Sequence, residues 1–130
     1  MTGTAYVDAS ALVKLAVAEA ESEAMLRWFT EAESVVSSRI GLIETARAVA
    51  RSPHDPAHLR ETLRLVVAIE LDEQASLVAE RIAPPAIRTL DAIHLATALA
   101  LGPALDAFVT YDDRLAAAAR ALGLPVVRPA

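Results

Sequence analysis

Four carboxylates in this 130-residue chain stand where surface charge is not expected. Asp8 follows the β-type run in "TAYVDAS", and Asp112 follows another in "FVTYDDRL". Asp91 opens the otherwise oily "DAIHLATAL", and Glu44 interrupts "RIGLIETARAVA" among Ile40, Leu42, Ile43 and Ala46. Each has an ordinary explanation of its own. An aspartate after a strand forms a turn or caps the next helix. In a first helical turn it complements the helix dipole by about 0.3–1 kcal/mol, and a helical glutamate can sit on the solvent face. Capping does not require all four to gather at one end of one fold, however. If they do gather, several close negative charges cannot all stay ionised without a cation. A ligand set made of carboxylate oxygens suits Mg²⁺ or Mn²⁺ rather than zinc. Hard cations in an acidic cup serve phosphodiester hydrolysis, activating water and neutralising charge at phosphorus.

The elements that must position these groups follow from the hydrophobic pattern. Short β-type runs occur at 4–8, 34–37, 68–71, 106–110 and 125–128. Helical patterns lie between them. They run through "ASALVKLAVAEA", then over 20–32 with Ala24, Met25, Trp28 and Phe29 on one face, then through "RIGLIETARAVAR" after the cap Ser38. "SPHDP" stops that helix, and Asp55 with Pro56 restarts one to about residue 67. "DEQASLVAERIA" ends at Pro84-Pro85, a helix covers 90–101, and "DDRLAAAARALG" ends at Gly123. Strands alternating with helices predict an α/β fold, a parallel sheet covered on both faces. In such sheets, chemistry gathers beyond the carboxyl ends of the strands, where strand order reverses. Asp8 and Asp112 fall at strand ends, and Asp91 at a helix mouth.

Composition narrows the class. The chain is 55% hydrophobic and alanine-rich, long enough for one domain, read as residues 1–130. The absence of cysteine excludes disulfides, zinc ribbons and thiol catalysis. The net charge of −5 argues against a protein held to nucleic acid by bulk positive charge. It leaves room for an enzyme that meets nucleic acid locally through a metal and a few arginines; every basic residue but Lys14 is arginine, which suits forked phosphate contacts. The most apolar region, 86–109, is broken by Arg88, Asp91, His94, Pro103 and Asp106, so no membrane span is expected. The start "MTGTAYVDAS" lacks a basic segment and a long apolar run, and the reading is a cytoplasmic protein.

The chain resembles the PIN-domain ribonucleases, specifically the VapC-type toxins of bacterial toxin–antitoxin pairs. The carriers are "YVDASALVKL", "IGLIETARAV", "IRTLDAIHLATAL" and "FVTYDDRLAAAARALGLPVV", which together span nearly the whole chain. The resemblance implies a five-stranded parallel sheet in the order 3-2-1-4-5. It identifies Asp8, Glu44, Asp91 and Asp112 as an acidic quartet holding Mg²⁺ or Mn²⁺, with Glu44 acting directly or through water. Ser10 and Thr110 match the family's flanking hydroxyls, and Asp113 is a neighbour of Asp112 that the "TYD" register disfavours as ligand. RNA is the implied substrate. A cognate VapB-type antitoxin is the implied partner, lying in a groove with Leu12, Leu15, Met25, Trp28 and Phe29 as candidates, although for any single one of them the core is the safer reading. The apolar excess (mean hydropathy +0.39) favours a homodimer. The alternatives are a PIN nuclease that is not a toxin and a PIN-fold binding module with an unused acid site. A haloacid-dehalogenase phosphatase would need "DxD" where this chain has "DAS", and a receiver domain would need a late lysine. His54, Asp55 and His58 read as a helix break and restart rather than a metal cluster, and His94 as a packing or hydrogen-bonding neighbour of Asp91.

Overall fold

Alternation within short strands decides the architecture, because each strand must bury both of its faces. In this computed structural model, which describes residues 3–130, the strands are β1 (Thr4–Val7), β2 (Ser34–Ser38), β3 (Val67–Ile69), β4 (Leu105–Val109) and β5 (Val126–Val127). They pair in parallel in the order β3-β2-β1-β4-β5. The helices are α1 (Ala9–Ala16), α2 (Ser22–Glu31), α3 (Arg39–Val49), α4 (Pro56–Arg64), α5 (Glu73–Arg81), α6 (Thr89–Leu99) and α7 (Asp113–Ala121). The expected α/β class and strand order are both observed. No helix among the described residues is long and apolar enough to cross a membrane.

Ala5 and Val7 of β1, Val35 of β2, and Ala107 and Val109 of β4 turn to one face, where α1 to α4 cover them with Leu12, Leu15, Met25, Leu42, Val49 and Leu63. Tyr6, Val36 and Phe108 turn to the other, beneath Leu95 and Ala98 of α6 and Leu115 and Ala119 of α7. The Tyr6 and Phe108 rings stack at 5.3 Å with only 8° between their planes, an arrangement that ties the two central strands on that face. Strand order reverses between β1 and β4. The carboxyl ends of these two strands therefore form the crevice.

Several boundaries differ from the sequence reading, each for a local reason. α1 stops at Ala16 rather than near residue 20, because Ser22 Oγ donates to Val17 O and accepts from Glu19 N, closing a turn. Glu21 adopts a left-handed φ of 65° there, and Lys14 Nζ donates to Ala20 O at 2.7 Å. β3 spans Val67–Ile69 rather than 68–71, set by the pairing of Val36 with Val67. Ser38 and Asp55 do cap their helices. The proposed partner-groove residues are mostly core: Leu12, Leu15 and Met25 are buried, and Trp28 and Phe29 pack against the same cluster. Trp28 and Phe29 remain only partly buried.

Phe108 has no exposed surface, so Phe108→Ala is expected to cost about 3–5 kcal/mol. Urea denaturation measures this, and a loss below about 1 kcal/mol would show that the stacked pair does not anchor that layer.

Candidate active site

Asp8 lies where β1 gives way to α1, and it caps that helix. Its Oδ1 accepts from Ser10 Oγ at 2.7 Å and from Ala11 N at 3.0 Å, and its Oδ2 accepts from Thr110 Oγ1 at 2.6 Å. The two hydroxyls also join the strands, because Tyr111 N donates to Ser10 Oγ at 2.8 Å and Asp112 N donates to Thr110 Oγ1 at 3.0 Å. Asp8 is 3% exposed. Burial raises its carboxyl above the ordinary range, opposed by the Thr110, Ser10 and Ala11 hydrogen bonds. Asp112 caps α7 through Oδ1, which accepts from Leu115 N at 3.0 Å. Its Oδ2 takes no hydrogen bond from the described residues.

Asp91 stands half-buried in the first turn of α6. It is raised first by burial and then by the Asp112 charge, with Glu44 adding and His94 and Arg88 opposing. No described side chain or backbone group bonds to it. Glu44, on α3, binds His94 Nε2 of α6 through Oε1 at 3.0 Å. Asp113 points elsewhere: its carboxylate is exposed and pairs with Arg128 at 2.6 Å. Sequence reasoning foresaw His94 as a hydrogen-bonding neighbour of the site. It missed Tyr6, whose hydroxyl meets His94 Nδ1 at 2.6 Å. A signal for this was Gly41, an unforced glycine inside an apolar helix.

Beside these groups runs an open groove of about 880 Å³ between α1 and α3. Ser10 and Glu44 lie at one part of its lining, Val13, Ile40, Ile43, Leu90 and Tyr111 supply apolar surface, and Arg47 and Arg51 are basic members. Neither arginine has an ion-pair partner among the described residues. His54 and His58, weighed as possible ligands, each donate to a backbone carbonyl, of Ser52 and Leu15 respectively.

The donor chemistry fits a hard divalent ion: the unengaged groups are oxygens, and Asp91 carries a charge that Asp112 and Glu44 oppose. The four carboxylates do not form a closed cage, since among the described residues no three His, Cys, Asp or Glu side chains stand close enough to share one ion. Mg²⁺ does not require such a cage, being held ordinarily by one or two carboxylates with water and substrate phosphates.

The raised pKa of Asp91 fixes the sign of a stability test. A carboxyl raised by folding favours the protonated form, so its stabilising contribution is present at acid pH and lost as pH rises through the folded pKa. Without divalent ions, Asp91→Asn should therefore melt above the parent at pH 7, with the advantage vanishing below the ordinary carboxylate range. Asp8→Asn should not share the gain, because an amide has one acceptor oxygen where the site supplies three donors. Scanning calorimetry from pH 3 to 8 checks both; Asp91→Asn melting well below the parent would make Asp91 a structural cap.

A match to the PIN domain family spans residues 5–121. Ribonuclease VapC46 of Mycobacterium tuberculosis (strain ATCC 25618 / H37Rv) is 40% identical over 125 residues, covering 95% of this chain and 96% of the relative. Ribonuclease VapC47 of the same species (strain CDC 1551 / Oshkosh) is 38% identical over 130 residues, with the same two coverages. Among solved structures, M. tuberculosis VapC20, described as a sarcin-ricin loop cleaving toxin, aligns with a TM-score of 0.74 at 18% identity over 96% of this chain and 99% of that one. FitAB bound to a DNA fragment aligns at 0.68 and 17% identity over 96% of this chain and 94% of that one. The chain belongs to the PIN-domain family, as one of its VapC-type ribonucleases.

Proposed function

We propose that this protein is a Mg²⁺- or Mn²⁺-dependent endoribonuclease and the toxin of a VapBC-type pair, working in the cytoplasm. The observation that carries the reading is Asp91, a carboxylate with no partner among the described residues, raised by burial and by Asp112 at the crevice where strand order reverses. Asp91 and Asp112 would hold the ion, with Asp8 and Glu44 completing the acidic set directly or through water. When bound, the ion supplies a Lewis acid that lowers the proton affinity of water and screens charge developing at phosphorus. Ser10 and Thr110 keep Asp8 in one orientation, and Asp113 supports α7 through Arg128 rather than through the site.

RNA enters this reading along the groove. Arg47 in the last turn of α3 and Arg51 in the turn just beyond it both line the groove, and can grip phosphates flanking the scissile one. The three histidines are each engaged, His54 and His58 by backbone carbonyls and His94 by Tyr6 and Glu44. No pair is left to deprotonate the 2′-hydroxyl and protonate the leaving group. Hydrolysis should accordingly leave a 5′-phosphate and a 3′-hydroxyl. A VapB-type antitoxin would lay a segment over the groove, and an arginine from it is a natural plug for Asp91 and Asp112. Val67 of the outer strand β3 and Leu65 just before it, 60% and 69% exposed, favour a homodimer.

Purified protein with Mg²⁺ or Mn²⁺ is expected to cut RNA and to lose activity with chelator or in Asp91→Asn; products ending in 2′,3′-cyclic phosphate would sink the hydrolytic route. Expression alone should arrest growth, with relief by the neighbouring gene and no arrest from Asp8→Asn. Equal arrest from Asp8→Asn and parent would overturn the nuclease reading. Arg47→Gln and Arg51→Gln should each flatten the slope of log affinity against log salt by about 0.7 for single-stranded RNA, measured on Asp91→Asn to prevent cleavage. Unchanged slopes would remove both arginines from the RNA path.

A further inference from the structure

The buried side chains under α3 and α6 form a hydrogen-bonded chain whose direction can be worked out. Ser38 N donates to the Tyr6 phenol oxygen at 3.2 Å, so that oxygen already accepts one bond. The nearby Ser37 Oγ spends its proton on Val7 O at 2.6 Å. The phenol proton then has one well-placed acceptor, His94 Nδ1 at 2.6 Å. A ring that accepts at Nδ1 carries its hydrogen on Nε2, and Nε2 faces Glu44 Oε1 at 3.0 Å. His94 is 3% exposed, so little solvent reaches the ring.

The ring fits only because of Gly41. A Cβ at that position would lie 2.8 Å from His94 Cε1 and 2.9 Å from Ser37 Oγ. α3 thus supplies both the carboxylate and, one turn earlier, the gap that lets the imidazole reach it. Helix propensity alone would favour alanine at this position.

We propose that His94 is a positioning residue for the nuclease reaction: the Tyr6 phenol locks its Nε2–H tautomer, and that hydrogen fixes the Glu44 carboxylate with Oε2 left for the site. The role rests on the reading of Glu44 as part of a nuclease centre, whereas the tautomer does not. In the same way, an imidazole between a ligand and a second hydrogen-bonding group is held in one tautomer and one orientation at metal sites.

Long-range ¹H–¹⁵N NMR of the histidine side chains in the whole protein at neutral pH reads the tautomer directly. His94 is expected to show an unprotonated Nδ1 and a protonated Nε2; the opposite tautomer or a doubly protonated ring would overturn the proposal. Tyr6→Phe should release the tautomer and lower kcat by about 10–100-fold, with KM for RNA nearly unchanged. Should that variant fold poorly, Gly41→Ala provides a second route, expected to displace the ring and reduce kcat by a similar factor while Tyr6 stays. Full kcat in either variant after the tautomer is lost would also overturn the positioning role. Parent protein that cuts no RNA would instead overturn the nuclease reading, and the NMR result would still decide the tautomer.

Discussion

The clamp on Asp8 is the interaction on which the crevice depends. Two hydroxyls, from Ser10 after β1 and Thr110 after β4, each donate to one oxygen of a buried carboxylate and each accept a backbone N–H from the segment entering α7. A buried carboxylate without such donors would be costly, and with them it becomes a fixed joint between two strands distant in sequence. The joint sets where α1 starts, where α7 starts, and so where Asp112 stands. The rest of the acidic set is placed relative to it by α3 and α6, which approach from opposite faces of the sheet.

The fold was legible in the sequence because its signals are local and agree with one another. β-branched runs, the caps Ser38 and Asp55, and the breaks at "SPHDP" and Pro84-Pro85 each specify one element without help from the rest. The four carboxylates stood out as candidates for a related reason, since each violates the pattern of its own element. Asp113 was harder, because adjacent aspartates have the same composition signal; its pairing with Arg128 depends on where the chain end after β5 comes to lie. The apolar stripe of α2 left two readings open for a physical reason as well. An amphipathic face looks the same whether it covers the domain's own core or awaits a partner, and here Met25 fills the core completely.

What sequence could not reveal was the path from Tyr6 through His94 to Glu44. Tyr6 reads as one more inward residue of a strand, and indeed it stacks on Phe108. Only the three-dimensional meeting of β1, α3 and α6 gives its hydroxyl a task. The same meeting explains how the half-exposed Glu44 carboxylate is held by an imidazole, with no ion pair to an arginine or lysine among the described residues. At Asp91 burial and like charge both disfavour ionisation, and the surrounding core has to absorb that cost.

The placement of this hydrogen-bonded path has a mechanical side. α3 belongs to the helical layer on one face of the sheet, with Leu42 and Val49 in its core, and α6 to the layer on the other, with Leu95 and Ala98. The bond between Glu44 and His94 therefore passes over the carboxyl edge of the sheet and straps the two layers together like a hoop around the rim of a cup. Twisting or splaying of the layers must stretch that strap before it widens the crevice. A small domain with short strands thereby gains stiffness at the carboxyl edge of its sheet.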